Sequence, residues 1–461
     1  MTKAVGVQDR AKTSPSRQPQ RLWLIPSRLF LLVYRPRTTT AALRERFGDM
    51  AAWDFHGQRF FMALTPEAAR QVLVADPDGY EAFWKESFRN LVGPGSLWVL
   101  DGERHHHERQ VLGPAFHARG FAGYGETIRS ITRQELAHWQ PGQTLRVLDA
   151  TLAISLQVIM RVVFGVSEAS AMREGHRVLL NLLKGNVPLI VFFPGLQRPW
   201  FPLWRRHLRA QAEASAWAGR QIEMRRAQSQ ESDDVLGRML AARYEDGSPM
   251  RDKDICDELF TILLAGHETT ATALAWALYE LARHPSALEK LRVELATLGP
   301  NPDPLAIVKL PYLSAVCNET LRHHTLLAEV ARVAAVPQPL CGYSLLPGDS
   351  ALVSIMAIHH DPALYPDPDA FIPERFIDHT YTPLEFLPFG GGNRRCLGSA
   401  LSDFEMRIAL AEIVTHWDLQ PAAVERDIRH DIAMGPKNGV RMRIKAQWSP
   451  KILSLSTGAQ A

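Results

Sequence analysis

The chain has 461 residues, which is enough for a core that encloses a ligand in one large domain or a few average ones. It is 46% hydrophobic and 22% charged, with a formal net charge of +3. This composition is typical of a globular protein, and the charge is too small for one that coats nucleic acid. The four cysteines are widely spaced without a CxxC pair, so a disulfide scaffold is excluded and a reducing, cytoplasmic setting is expected.

The N-terminal residues 1–34 combine a polar stretch, expected to be a disordered tail, with a short apolar segment, "LWLIPSRLFLLVY" at 22–34. Pro26 and Arg28 interrupt that segment, which is too short for a transmembrane helix. We predict that it packs on the protein body, with loose membrane association as the alternative and no integral membrane association. No repeat or linker divides the rest, which predicts one domain over 35–450 and a C-terminal tail over 451–461.

In chain order, helix-like 38–48 is followed by strand-like 51–64 and by a helix over 65–74. The triplet Thr65, Pro66 and Glu67 is a good helix start. Helical patterns then dominate. They cover 103–116, 120–140, 149–164, 169–185, 203–228, 232–243, 252–283, 286–298 and 311–325. The predicted fold is mainly α with a minor β-sheet region.

The segment 252–284 is apolar on nearly every face, so we predict a helix that runs through the interior. Gly266, Thr269 and two further threonines weaken it at mid-span, where Glu268 also lies. A buried carboxylate needs partners. We therefore interpret this point as a groove with water or ligand against it, and the alternative is an ordinary kink with a solvated glutamate.

Other clusters carry charges at helical spacing. "ETLR" places Glu319 and Arg322 one turn apart, and "PERF" adds Arg375 as a candidate third member. "GERHHHER" places His105 and Arg109 at i, i+4, on one side of a helix. Three consecutive histidines cannot all face one metal from a helix, which disfavours a zinc site there.

The run "FGGGNRRCLG" joins three glycines, two arginines and Cys396. Together with "AGHETT", "ETLR" and "PERF", in this order, it resembles the motifs of the cytochrome P-450 family, and specifically of a soluble bacterial member. The first match is highly specific, whereas "ETLR" and "PERF" are strong only as a pair. The resemblance implies a single large helical domain around a buried haem, haem b, with a minor β-sheet region.

The resemblance also implies roles for individual residues. Cys396 would be the metal ligand, an axial thiolate for haem iron. Glu268 and Thr269 would relay protons to bound dioxygen, for which Ala265 and Gly266 leave room. Glu319, Arg322 and Arg375 would form a structural ion network. The remaining cofactor-binding residues would be Phe389 and Gly398 beside the cysteine, and His105, Arg109, Arg332 and Arg394 toward the haem propionates.

One departure concerns the chain after Arg322. Family members often carry a proline there, whereas this sequence reads "RHHTLLAEVAR", with Thr325 in its place and no proline before Pro337. The path of the following loop, and the assignment of Arg332 to a propionate, are therefore open. The candidate substrate-pocket residues are apolar, and core packing is the alternative for each. They are Phe88, Leu91 and Leu97, placed in a loop before His105, with Leu264, Leu326, Leu327 and Val330.

The implied function is a haem-thiolate monooxygenase of secondary metabolism. It would insert one atom of O2, by hydroxylation or epoxidation, into a fatty acid, terpenoid or polyketide. No nicotinamide- or flavin-binding signature is evident, so electrons would come from a separate ferredoxin or flavodoxin with its reductase, and we expect a monomer. The alternatives are a peroxide-driven hydroxylase and a non-catalytic haem sensor or carrier, and the Glu268–Thr269 pair argues against both.

Overall fold

The structure is a computed structural model. It describes residues 35–448 apart from 56, 76–78, 84, 117–120, 186–187, 228–233 and 431. The predicted tail and apolar segment over 1–34 and the tail over 451–461 therefore lie outside the described residues. Within the described part, no helix is long and apolar enough to cross a membrane.

Helices make up most of the described chain. They are α1 Pro36–Phe47, α2 Pro66–Leu73, α3 Lys85–Val92, α4 Gly102–Leu112, α5 Ala122–Leu136, α6 Val147–Val158, α7 Ala169–Gly185, α8 Pro188–Phe192, α9 Pro202–Ala227, α10 Val235–Ala241, α11 Asp252–Arg283, α12 Pro285–Ala296, α13 Pro304–Ile307, α14 Pro311–His323, α15 Ile355–His359, α16 Arg375–Asp378 and α17 Ser399–His416. Short 3-10 turns cover Gly113–Phe116, Pro194–Leu196 and Gly392–Arg394, and α6 continues as a π-helical turn over Ile159–Val163.

The strands are short. They are β1 Met50–Phe55, β2 Gln58–Ala63, β3 Tyr80–Ala82, β4 Thr144–Arg146, β5 Glu329–Ala334, β6 Gln338–Leu340, β7 Tyr343–Leu345, β8 Ser350–Ser354, β9 Trp417–Pro421, β10 Asp427–His430, β11 Ala433–Pro436 and β12 Arg441–Gln447. The largest sheet has the order β1-β2-β8-β5-β3, in which only β2 and β8 run parallel. A mainly helical fold with minor sheets is thus confirmed.

The strand-like segment 51–64 is confirmed and forms a hairpin of β1 and β2, because Gly57 adopts a positive φ of 81° and its N–H donates to Asp54 Oδ1. One local prediction was wrong. Phe88 and Leu91 lie in helix α3 and not in a loop. Their side chains, with Ser87 and Val92, bury one face of a two-turn helix.

Helix α11 forms the centre of the main core, as its apolar sequence predicts. It packs against α6, α17 and α14, and nearly all of its side chains beyond Thr270 are buried. The expected weak point at mid-span does not break it, since the segment is α-helical from Asp252 to Arg283. Core packing therefore fixes the position of residues 264–269 within one continuous helix.

Glu319 and Arg322 form a fully buried pair on α14. The Arg322 guanidinium donates to both carboxylate oxygens, with N–O distances of 2.7 and 2.8 Å. Arg375 lies 3.4 Å from the same carboxylate, and Arg322 also donates to the carbonyls of His359 and Pro368. The donors and the acceptors are largely satisfied, which is the condition under which a buried ion pair is tolerated.

The histidine run after Arg322 builds a second polar junction. His324 Nε2 lies 3.0 Å from Glu280 Oε1 on α11, and its Nδ1 lies 2.9 Å from Asp427 Oδ2 on β10. Its ring stacks on the indole of Trp276, with the ring centroids 3.7 Å apart. Burial lowers the pKa of His324, but Asp427 and Glu280 outweigh it and raise that pKa to about 9. A protonated His324 therefore joins α14, α11 and β10.

We expect this junction to make stability depend on pH. The pKa of His324 rises from 6.5 in the unfolded chain to about 9 in the folded protein. Its contribution is therefore fully present below pH 6.5 and lost as pH rises through about 9; it is on the order of 3 kcal/mol. His324→Phe keeps the stack on Trp276 but removes the proton. Urea unfolding between pH 6 and 9.5 should show a fall in stability for wild type that the variant lacks, and equal slopes would contradict this assignment.

Candidate functional site

The loop Pro388–Gly398 lies between the short helix α16 and the long helix α17. A 3-10 turn over Gly392–Arg394 compacts it, and the N–H of Cys396 donates to the carbonyl of Phe389 at 2.9 Å. Cys396 therefore stands just before the first turn of α17, with Phe389 on the other side of a closed backbone ring. This hydrogen bond fixes the direction of the cysteine side chain.

The glycines of this loop are needed for a contact within the protein. Gly392 has a φ of 69°, and a Cβ there would lie 1.9 Å from the carbonyl oxygen of Leu73 on α2. At Gly391 a Cβ would lie 3.0 Å from the Leu73 side chain. The two glycines therefore allow the loop backbone to lie close to helix α2. At Gly398, in contrast, a Cβ would meet no described atom within 4 Å, so the protein's own packing does not require glycine there.

Cys396 is exposed as a whole residue, whereas its thiol is surrounded by protein, and burial raises the pKa of that thiol. The N–H of Gly398 and the positive charges of Arg395 and Arg109 act against that rise. The other three cysteines have ordinary surroundings: all are unpaired, and burial raises the pKa of each.

Four basic residues from three parts of the chain converge near this loop. They are His105, Arg109, Arg332 and Arg394, and the three arginines all act electrostatically on the His105 ring. Burial, and then these charges, lower the pKa of His105 to about 3, so the ring is neutral. Burial and Arg394 lower the pKa of Arg332 to about 10. Such an accumulation of positive charge inside a protein calls for an anion.

The partners of the arginines differ. Arg109 donates to the carbonyl of Arg395 at 2.6 Å, which ties α4 to the cysteine loop. Arg394 binds the carbonyl of Leu100 and the carboxylate of Asp101, a partner that the sequence analysis missed. Arg332 lies on β5 with its Nη1 on the carbonyl of Ala331, and no carboxylate of the described chain pairs with it. Its buried charge is the least compensated of the set.

These residues fit a haem. The Cys396 thiol would ligate the iron, and a neutral imidazole with two or three buried guanidiniums would supply donors for two propionates. On α11, Ala265 and Gly266 present little side chain, and among the described residues a Cβ at Gly266 would meet only Ile159, at 3.7 Å. The donor set and the small residues are together compatible with a haem.

Glu268 and Thr269 occupy the middle of α11. The Thr269 hydroxyl donates to the carbonyl of Ala265 at 2.7 Å, and its oxygen remains available as an acceptor. Glu268 is exposed, unlike the buried carboxylate that the sequence analysis considered. Thr269 carries a hydroxyl that is partly buried, and the adjacent Glu268 carries a carboxylate in contact with solvent. Together these two groups can pass protons inward through water.

Helix α11 does bury carboxylates elsewhere, and one of them, Glu258, was missed by the sequence analysis. Its Oε1 accepts from the N–H of Leu97 at 2.5 Å, and burial raises its pKa well above the usual value. The neighbouring Asp257 accepts from the N–H of Gly95 at 2.9 Å. Both therefore hold the loop between α3 and α4, and periodicity cannot reveal this because the partners are backbone groups.

The candidate pocket residues fall into three apolar clusters. Phe88 and Leu91 are buried with Ile190, Val191 and Trp204, and Leu264 packs against this group. Leu326 packs on the main core around α11, whereas Leu327 and Val330 pack on the sheet cluster. Leu97 is buried beside Glu258. Leu264 connects the first cluster to Ala265 and Gly266, the next two residues of α11.

One further group of potential metal ligands exists in the described residues: Glu280, His323 and His324 place ligand atoms within 4.8 Å of one another. Both ring nitrogens of His324 already face carboxylates. Arg283 and His284 also lie beside Glu280. His324 is protonated, and Arg283 adds a second positive charge at Glu280. These charges disfavour a metal cation at this cluster.

Comparison with known proteins identifies the class. The sequence model of the cytochrome P450 family matches residues 17–441. Cytochrome P450 138 of Mycobacterium tuberculosis is 34% identical over 396 residues, which cover 83% of this chain and 86% of that protein. Cytochrome P450 135B1 of the same organism is 33% identical over 428 residues, 91% of this chain and 89% of that protein.

Solved structures show the same fold. The haem domain of cytochrome P450DA has a TM-score of 0.78 at 23% identity, over 92% of this chain and 96% of that one. The retinoic acid-bound cyanobacterial CYP120A1 has a TM-score of 0.77 at 24% identity, over 88% and 93%.

The chain belongs to the cytochrome P450 family. It is accordingly a haem-thiolate monooxygenase, an oxidoreductase that uses haem iron, O2 and electrons from a redox partner.

Proposed function

We propose that this enzyme hydroxylates or epoxidises a hydrophobic small molecule, such as a fatty acid, terpenoid or polyketide. The observation that carries this proposal is that Phe88 and Leu91 pack together with Leu264, which directly precedes Ala265 and Gly266 on α11. Burial of apolar ligand surface there would supply most of the binding free energy, at about 25 cal/mol per Å². A role in secondary metabolism would agree with such substrates.

Each protein group has a proposed task. Cys396 would ligate haem b, and His105, Arg109, Arg332 and Arg394 would bind its propionates, with Phe389 and Gly398 shielding the sulfur. When bound, the haem supplies the redox chemistry that divides O2 between the substrate and water, with two electrons and two protons consumed. Thr269 would hold a water by its free acceptor, and Glu268 would exchange protons between that water and solvent. Glu319, Arg322 and Arg375 would hold the chain that precedes the cysteine loop.

The electron donor is proposed to be a separate ferredoxin or flavodoxin with its reductase. Arg395 is exposed beside Cys396, and its guanidinium lies near the hydroxyl of Ser399 and over the ring of Phe389. Arg109 reinforces the positive charge of this face, whereas Arg104 faces Asp254 at 3.6 Å and contributes less. An acidic partner would be steered to this face at low salt. A monomeric cytoplasmic protein with one haem domain over 35–450 completes the proposal.

A ligand screen tests the substrate class. Purified haem-loaded protein would be titrated with fatty acids, sesquiterpenes and macrolides while the shift of the haem absorption band is followed. Leu264→Asp places a charge at the inner end of the apolar cluster, and Val424→Asp, at an exposed site, is the control. Saturable shifts that Leu264→Asp alone weakens by tenfold or more support the proposal. Shifts given only by polar ligands, or unaffected by Leu264→Asp, would refute it.

Thr269→Ala is expected to separate electron use from product formation. Among the described residues, the lost hydroxyl bonds the carbonyl of Ala265 on the same helix, so folding and haem binding should be kept. Without an ordered acceptor for water, proton delivery is disordered, and reducing equivalents should leave as hydrogen peroxide. The measurement is product formed per reducing equivalent consumed, expected to fall severalfold. Unchanged coupling would remove Thr269 from the mechanism.

A further inference from the structure

Asp101 stands at the start of helix α4 but does not cap it. An aspartate at this position of a helix commonly accepts a hydrogen bond from a backbone N–H of the first turn. The Asp101 side chain makes no such bond, although its backbone is extended, with φ −133° and ψ 169°. Its carboxylate is therefore directed to other partners, and capping does not explain why an acidic residue stands there.

Three partners from three parts of the chain meet at this carboxylate. Its Oδ1 accepts from the N–H of Ala82 on β3, at 2.8 Å, and from the guanidinium of Arg394 in the cysteine loop. Its Oδ2 lies 2.7 Å from Nζ of Lys85, the first residue of α3. The side chains of Asp101 and Arg394 are only 15% and 11% exposed, so water screens their attraction weakly. Asp101 therefore joins the cysteine loop to both β3 and α3.

The same carboxylate belongs to the basic cluster beside the cysteine loop. Among the charged groups that act on the His105 ring, Asp101 is the acidic residue. Ala82, whose N–H it accepts, is the register partner of Arg332 across β3 and β5. Burial lowers the pKa of Arg394, and the charge of Asp101 acts against that fall. Asp101 thus supplies negative charge to a cluster whose other members are basic.

We propose that Asp101 is a positioning residue for the haem. Its carboxylate holds the guanidinium of Arg394 toward a propionate, and its charge lowers the reduction potential of the iron, because a buried negative charge disfavours the addition of an electron. Lys85 balances this charge and attaches the carboxylate to α3, the helix that carries Phe88 and Leu91. The inference rests on the proposed binding of a propionate by Arg394, and it goes further because Asp101 acts through that arginine.

Asp101→Asn tests this inference on the haem-loaded full chain. Asparagine keeps an acceptor for the N–H of Ala82 but removes the charge. The reduction potential should rise by about 59 mV, a tenfold change in the equilibrium constant for one electron, and haem should pass to excess apomyoglobin about tenfold faster. Lys85→Met removes the balancing positive charge, so its potential should fall. A general loosening of the site would instead move both potentials in the same direction.

Arg394→Gln tests whether Asp101 acts through the arginine. Arg394→Gln alone should speed haem loss, and the further addition of Asp101→Asn should change the rate by less than about twofold, since only independent sites have additive effects. A tenfold effect of Asp101→Asn in both backgrounds would refute the inference. If Arg394→Gln leaves haem loss unchanged, the proposed binding of a propionate fails and the inference with it. If Arg394→Gln speeds haem loss but Asp101→Asn does not, the inference alone fails.

Asp234→Asn is the matched control. Asp234 also stands at the start of a helix, α10, and it pairs with Arg225 at 2.7 Å. Asparagine keeps the cap on the N–H of Gly237. The variant should leave the one-electron equilibrium constant and the rate of haem loss within about twofold of wild type. Equal shifts in Asp234→Asn and Asp101→Asn would overturn the inference. If Asp101→Asn binds no haem, a potential in Lys85→Met that does not fall would overturn it as well.

Discussion

Cys396→Ser is expected to abolish the red-shifted absorption band of the reduced carbon monoxide complex, together with all monooxygenase activity. An alcohol is a far weaker electron donor than a thiolate, and at neutral pH the serine would remain protonated. The backbone should not change, because the hydrogen bond that fixes residue 396 is made by its own N–H to the carbonyl of Phe389. The absorption spectrum of the reduced, carbon monoxide-treated protein is the measurement.

Cys256→Ser provides the control. Cys256 lies on α11 and is partly buried against the main core, and burial raises its thiol pKa to about 11. The Cys256→Ser variant should give the wild-type spectrum and activity. If Cys396→Ser kept the band while Cys256→Ser lost it, the ligand assignment would have to move to another cysteine.

Arg322→Leu is expected to destabilise the protein by about 3–5 kcal/mol, because it leaves the Glu319 carboxylate buried without its main partner. The lost group makes two hydrogen bonds to that carboxylate and further ones to backbone carbonyls of the segment 359–370. Removal also leaves those carbonyls unsatisfied. Unfolding by urea, with haem content followed in parallel, measures the loss.

An exposed pair with the same spacing gives the control. Glu67 and Arg70 stand at i, i+3 on α2, with an N–O distance of 2.7 Å and more than half of each side chain exposed. Arg70→Leu should leave the free energy of unfolding nearly unchanged, because water screens an exposed ion pair. A similar cost for the two variants would show that burial does not amplify the Glu319–Arg322 interaction.

Much of the site could be predicted from sequence because its residues are contiguous or helically spaced. The cysteine loop, the Glu268–Thr269 pair and the Glu319–Arg322 spacing each lie within a short stretch, and α11 follows from unbroken apolar periodicity. The prediction for α3 failed because its two turns carry too few residues for a periodic signal. The hairpin of β1 and β2 was missed because one strand-like run contains the turn at Gly57.

The remaining contacts depend on residues far apart in the chain. Asp101 meets Arg394 across 293 positions. Leu97 meets Glu258 across 161 positions. His324 meets Asp427 across 103 positions, and nothing in "RHHT" indicates a charged, stacked imidazole. The solvent exposure of Glu268 could not be predicted either, because the sequence of an apolar helix does not show which way its charged mid-span residue points.

The contact between Gly392 and the carbonyl of Leu73 has a consequence for how the folded protein opens. A Cβ added at Gly392 would not fit between the loop and helix α2. Neither element can therefore move far without breaking the contact between them. Local opening in proteins follows such contiguous units and not single residues. The 3-10 turn before Cys396 and helix α2 therefore form one cooperative unit, and a fluctuation in the β-rich N-terminal part is transmitted to the cysteine.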